Sequence, residues 1–299
     1  MPFAFQVSAL KYLPLAGLLA FFSLTSQPTA AKPANKAPTQ AQHDAAFLSS
    51  LSPERRAKLA QLKNWTLLVY HAQSQTRKGL FPVGWHQPGI PASTYKVPHS
   101  LIGLSAGVVN LQTVFPWSGE TYELEGWNRD HTLATAMQVS CVPCFQQLAR
   151  KIGLQRMQAG VEKLHFGKMD ISAANLDTFW LTGKSQISPE QQVQFMAKLA
   201  LRQHPFPKQH QDSVAKIIAD PHIPGLYAKT GWGRVPHKGF GDSLPRQRHY
   251  GWYVGYYQAK GQTWAFATRL IGQDKLPEGF AALRKEITLD YLRFQKILP

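Results

Sequence analysis

The chain has 299 residues, 44% of them hydrophobic, and its 33 Lys and Arg against 17 Asp and Glu give a formal charge of +16. That length buries a substantial core in one large domain or two small ones, and the apolar fraction excludes a chain that is mostly disordered. The positive charge is scattered, with no aromatic-rich RNA-binding signature and no zinc-finger spacing, so the composition points to a basic protein acting near an anionic envelope or on anionic substrates, and no nucleic-acid partner is expected.

At the N-terminus Lys11 precedes the apolar run from Leu13 to Phe22, and small residues end at Thr29-Ala30-Ala31. This is the form of a secretory signal peptide over residues 1–31, with an apolar core too short for a comfortable membrane span. No other stretch approaches spanning length, so a periplasmic or secreted location with no stable span after cleavage is expected. Residues 32–45, rich in Ala, Pro, Gln and Lys, suit a flexible linker, and the folded domain is expected over 46–299.

Ser52-Pro53-Glu54 opens a short helix: a cap, a proline in the first turn and an early acid. Trp65–Tyr70 reads as a strand with Gly79–Trp85 as its hairpin partner. Pro91 and Ser93-Thr94 are helix-start chemistry before the apolar segment from Leu101 to Val109, so a helix enters the core at about Ser93. More helix is expected over 132–137, 143–152, 154–164 and 189–201. Strands return at 225–232, then as a hairpin of 248–257 with 263–271 around Lys260-Gly261, and a last amphipathic helix covers 281–292. The fold class is α/β (α+β): an antiparallel sheet flanked by helices, with an inserted all-helical subdomain and a cleft between the two.

Three residues apart on a helix, Ser93 and Lys96 lie one above the other. An amine on such an apolar face loses hydration, its pKa falls, and it becomes a base able to activate the serine hydroxyl. The same spacing recurs at Ser8/Lys11, in the targeting peptide, and at Ser213/Lys216, on an ordinary helix surface, so spacing alone is weak. What singles out Ser93 is its company: Ser140-Cys141-Val142 downstream, then Lys229-Thr230-Gly231 within a strand. The only cysteines, Cys141 and Cys144, lack a second pair or ordered histidines, so no metal is expected. They read as two packed residues, with a local disulfide as the alternative that export permits.

Pro91-Ala92-Ser93-Thr94-Tyr95-Lys96, Ser140-x-Val142-Pro143, Phe179-Trp180-Leu181-x-Gly183, Lys229-Thr230-Gly231-Trp232-Gly233 and Gly251-Trp252-Tyr253-Val254-Gly255, in that order, resemble the class D serine β-lactamases from about Leu59 to the C-terminus. The resemblance implies a penicillin-binding-protein-like fold and hydrolysis of β-lactams by water through an acyl-enzyme on Ser93. Lys96 would be the general base, carrying CO2 as N6-carboxylysine, with no cofactor beyond CO2 or bicarbonate. Ser140 would relay a proton to the leaving nitrogen, Val142 would help close the site, and Trp180 would stabilise the modified lysine. Lys229, Thr230 and Arg284 would hold the substrate carboxylate along the strand through Gly231, and the backbone N–H groups of Ser93 and Trp232 would form the oxyanion hole. The alternative is a penicillin-binding or sensor-type domain that acylates without efficient turnover; monomer and homodimer are both compatible. The chain departs from the family pattern at Phe166-Gly167-Lys168, where Tyr-Gly-Asn is usual, and at His99, where asparagine is common. These departures bear on substrate range and turnover; the basic loop from Arg234 to His249 reads as a solvated turn region, with selection of anionic substrates beside the cleft as the alternative.

Overall fold

The computed structural model describes residues 37–182, 184–237 and 246–299; the segment expected as a signal peptide, Gly183 and residues 238–245, with Lys238, lie outside them, and the parts of the expected 234–249 loop that are described belong to strands. Residues 38–299 form one compact unit. It opens with α1 (Gln40–Ser50), inside the stretch expected as linker. Thr39 closes a capping box with Gln42, and Phe47 packs edge-on against Tyr291 and Phe294 of the last helix. A cap and one aromatic anchor thus fix a helix that composition alone assigns to a tether. The next helix, α2 (Pro53–Ala60), starts as its sequence dictates, with the Ser52 hydroxyl accepting from the Arg55 N–H.

β1 (Asn64–His71) pairs with β2 (Thr76–Leu80). The partner strand ends earlier than expected because Phe81 turns left-handed and Pro82 begins a 3-10 turn. A second 3-10 turn, Ala92–Tyr95, leads into α3 (Lys96–Ser105), buried from Lys96 to Leu104. Then come β3 (Val114–Phe115), paired with β4 (His131–Thr132), and the helices α4 (Leu133–Gln138), α5 (Val142–Ile152), α6 (Leu154–Leu164), α7 (Pro189–Ala200) and α8 (Lys208–Ile217). β5 (Leu226–His237), β6 (Arg246–Ala259) and β7 (Gln262–Gln273) follow, and α9 (Phe280–Phe294) closes the fold.

The main sheet runs β2-β1-β7-β6-β5 with every pair antiparallel. Lys260 and Gly261 both take positive φ, which a two-residue hairpin between right-twisted strands requires. Alternating strand residues feed two cores. Leu67, Val69, Phe266 and Leu270 face α9, with α1 and α2 behind; Leu68, Val254, Ala265 and Ala267 face α7 and the helical half around α3. Full burial of each large side chain stabilises by about 1.5–3 kcal/mol; α3 packs on α5, α6 and α8, and the 3-10 turn before it packs against β5. Among the described residues no helix is long and apolar enough to cross a membrane.

Candidate active site

Ser93 sits in the 3-10 turn that precedes α3, held from three sides. Ala92 adopts a left-handed φ of 48°, costing about 1–2 kcal/mol in a residue with a side chain, and its N–H donates to the Trp180 carbonyl at 3.0 Å. The Thr94 hydroxyl donates to the Pro91 carbonyl at 2.7 Å and accepts from Gln192 Nε2 at 2.8 Å. From the sheet, β5 comes so close that a Cβ on Gly231 would lie 3.0 Å from Thr94 Cγ2 and one on Gly233 2.6 Å from Ile90 Cδ1. The two glycines of the Lys-Thr-Gly-Trp-Gly run therefore let the strand edge reach the turn.

Lys96 Nζ lies 2.8 Å from Ser93 Oγ, and the lysine is fully buried. Burial first, and the charge of Lys229 second, push its pKa well down. The Phe145 ring centre is 5.3 Å from the amine. The lowered pKa favours the neutral amine, the form that can accept the serine proton.

Lys229, on β5, has its Nζ 3.0 Å from Ser140 Oγ and 2.8 Å from the Thr230 carbonyl. Burial, followed by Arg284, lowers its pKa to about 7. Ser140 takes a left-handed φ of 55° in the link between α4 and α5, which turns its hydroxyl to the strand. Arg284, on α9, donates from Nη1 to the Gly231 carbonyl, and burial brings it to about 10, so it stays cationic at any working pH. The Ala228 N–H leaves the open edge of β5 to reach Ile218; with the period of two, the N–H groups of Thr230 and Trp232 face that same edge. The Trp232 side chain is 46% exposed and leans on Phe280, so it lies at the rim. Val142 is half-buried at the first position of α5, and Trp180 is fully buried with its indole N–H lacking a partner. The structure thus joins Ser93 to Lys96, Ser140 to Lys229 and Arg284 to Gly231, while Trp180 meets the serine turn through its carbonyl on the Ala92 N–H and its ring stacked on Tyr95.

The penicillin binding protein transpeptidase domain family matches residues 85–288. Beta-lactamase OXA-48 of Klebsiella pneumoniae is 36% identical over 219 residues, 72% of this chain and 77% of that protein. Beta-lactamase OXA-10 of Pseudomonas aeruginosa is 35% identical over 70% of this chain and 76% of its own length. The crystal structure of the class D β-lactamase YbXI from Nostoc superposes with a TM-score of 0.70 at 30% identity, covering 81% of this chain and 97% of that one. The chain belongs to the class D β-lactamases.

Against that family the departures now have a structural setting. Phe166 is fully buried, edge-on to Tyr95 at 5.6 Å and to Phe195 at 4.9 Å, so it serves as packing where a phenol would need a partner. Gly167 keeps its glycine for cause: at φ 63° an added Cβ would lie 2.4 Å from the Gln186 carbonyl oxygen. Cys141 and Cys144 are joined by a disulfide, not merely packed. His131 lies within 4.8 Å of both sulfurs, but each of its ring nitrogens already has a protein partner, Thr135 Oγ1 and the Gly126 carbonyl. Sequence reasoning missed Phe145, whose ring flanks the base; it carries only the apolar signature of any core position on α5.

Proposed function

We propose that this class D enzyme hydrolyses β-lactams through a serine acyl-enzyme. The observation that carries the reading is the 2.8 Å contact between Ser93 Oγ and a fully buried Lys96 amine that has no acidic partner among the described residues. Lys96 takes the Ser93 proton as Oγ bonds to the lactam carbonyl carbon. The developing oxyanion lies against the Ser93 and Trp232 N–H groups. As the ring C–N bond breaks, the nitrogen receives a proton through Ser140, which Lys229 contacts. Water, deprotonated by the same base, then attacks the ester and frees Ser93. Arg284 and protonated Lys229, with the Thr230 hydroxyl, hold the substrate carboxylate.

The pocket fits a carboxylated Lys96: the amine is dry, burial pushes its pKa well down, no carboxylate pairs with it among the described residues, and the Trp180 indole N–H is a buried donor without an acceptor. CO2 bound there would supply an anionic base whose carboxylate oxygens would accept the serine and water protons. A chromogenic cephalosporin assay with and without bicarbonate, together with intact-protein mass spectrometry, tests the whole reading. Multiple turnovers that rise with bicarbonate and vanish in Ser93→Ala are expected. A stoichiometric adduct that persists in excess buffer would instead identify an acylating sensor or penicillin-binding domain. Export to the periplasm or medium belongs to the same proposal and is tested by the N-terminal residue of the protein recovered from cells.

A further inference from the structure

His99 follows Lys96 by three residues, as Lys96 follows Ser93, so nucleophile, base and imidazole lie in sequence from the 3-10 turn into the first turn of α3. The imidazole is fully buried, and neither ring nitrogen has a hydrogen-bonding partner. Its ring centre lies 4.8 Å from that of Trp180, edge to face, and the Trp180 N–H is equally without an acceptor. The other rings around it are Tyr95 at 5.0 Å, Phe145 at 5.7 Å and Phe179 at 6.4 Å, whose faces and edges offer no strong acceptor. Burial and the neighbouring Lys96 hold His99 down to about 3, so it is neutral and keeps one N–H to place. A buried donor left unmatched is disfavoured, and here two such donors pack together, one of them, His99, a helical turn from Lys96.

We propose that His99 is a positioning residue that donates its ring N–H to the carboxylate of carboxylated Lys96, sharing that anion with Trp180. This rests on the reading of Lys96 as a carboxylated base. In forming that group the Lys96 nitrogen bonds to the carbon of CO2, and the proton it loses passes to solvent. Two oxygens then meet two donors from different elements, α3 and the segment before α7, which ties carbamate stability to the closing of the helical half over the serine. The histidine in place of the usual asparagine keeps an N–H donor but extends its reach.

The test uses the full-length protein, freed of CO2 and titrated with 13C-bicarbonate while the carbamate carbon is followed by NMR. His99→Leu and His99→Phe, two apolar replacements of different shape checked for folding by thermal melts, are expected to raise the half-saturating bicarbonate about tenfold or more. His99→Asn, which restores a side-chain donor, is expected to return it to within about threefold of the parent. A folded apolar variant that carboxylates at the parent's bicarbonate concentration overturns the role of His99 alone. A parent protein with no carbamate signal overturns the carboxylated-lysine reading and this inference with it.

Discussion

Replacing Lys229 by methionine isolates the electrostatic cost of the cleft. The amine titrates at about 7 in the folded protein against an ordinary 10.5, chiefly because it is buried and secondarily because Arg284 is near. With the folded value below the unfolded one, the folded state binds fewer protons between those limits, so the contribution of this group to stability rises with pH across that window. The difference, 10.5 − 7, at about 1.36 kcal/mol per unit, amounts to a penalty of roughly 5 kcal/mol below pH 7 that falls to roughly 2 kcal/mol at pH 9. Methionine removes the penalty but forfeits the hydrogen bonds to Ser140 and the Thr230 carbonyl, about 1–2 kcal/mol each. Lys229→Met is therefore expected to be more stable than the parent by about 1–3 kcal/mol near pH 6 and to lose about 2–3 kcal/mol of that advantage by pH 9. Lys96 pulls in the same direction, since removing Lys229 relieves a charge that depresses its pKa. Urea denaturation of both proteins at the two pH values measures the gap, and hydrolysis of anionic β-lactams should be lost throughout. A stability gap that stays constant or widens with pH would refute the argument that Lys229 is held against its own charge.

Lys96→Ala should leave slow acylation but slow deacylation by about 100-fold or more, so that intact mass spectrometry finds the adduct accumulating. Gly233→Ala forces a Cβ to within 2.6 Å of Ile90 Cδ1 and 3.0 Å of Ala92 Cβ; about 1–3 kcal/mol of stability should go, with a fall in kcat as β5 retreats from the serine turn, read by thermal melts and turnover. Reducing the Cys141–Cys144 disulfide frees only a short loop, of sequence separation 3, so the chain-entropy loss is about 2 kcal/mol; the thermal midpoint should drop and kcat should fall because the adjacent Ser140 loses the support of its left-handed turn, an effect absent if Ser140 plays no part in proton transfer.

What the sequence revealed and what it withheld divide along the range of the interactions. The cap at Ser52, the Lys260-Gly261 turn and the Ser93/Lys96 spacing are set by residues a few positions apart, and each forms as its local chemistry requires. The helix from Gln40 escaped because its anchor, Phe47 on Tyr291 and Phe294, is contributed from the opposite end of the chain. The disulfide could be named only as an alternative, since a spacing of Cys-x-x-Cys says nothing of whether both sulfurs turn inward at a helix start. The glycines of β5 were legible as part of a motif, but their physical purpose appears only once the strand edge meets the serine turn. His99 was visible as a departure from pattern, yet its lack of any partner is a property of seven-residue stripes and packed rings that no local reading contains.

Lys96, Lys229 and Arg284 are all buried, and among the described residues no acidic side chain pairs with any of them. A dry pocket cannot carry three cations without an anion, so it sheds protons in the order that desolvation and mutual repulsion dictate. Lys96 is fully enclosed, with its pKa pushed well down by burial and by Lys229, and in the proposed mechanism it is the base. Lys229 yields near neutrality and so can both hold an anion and pass a proton through Ser140. Arg284 does not yield at any working pH and remains the fixed charge that draws a carboxylate in. On the proposed mechanism, proton transfer and anion recognition are one electrostatic property graded by burial: the cation the pocket disfavours most serves as base, and the one it sustains best holds the substrate carboxylate.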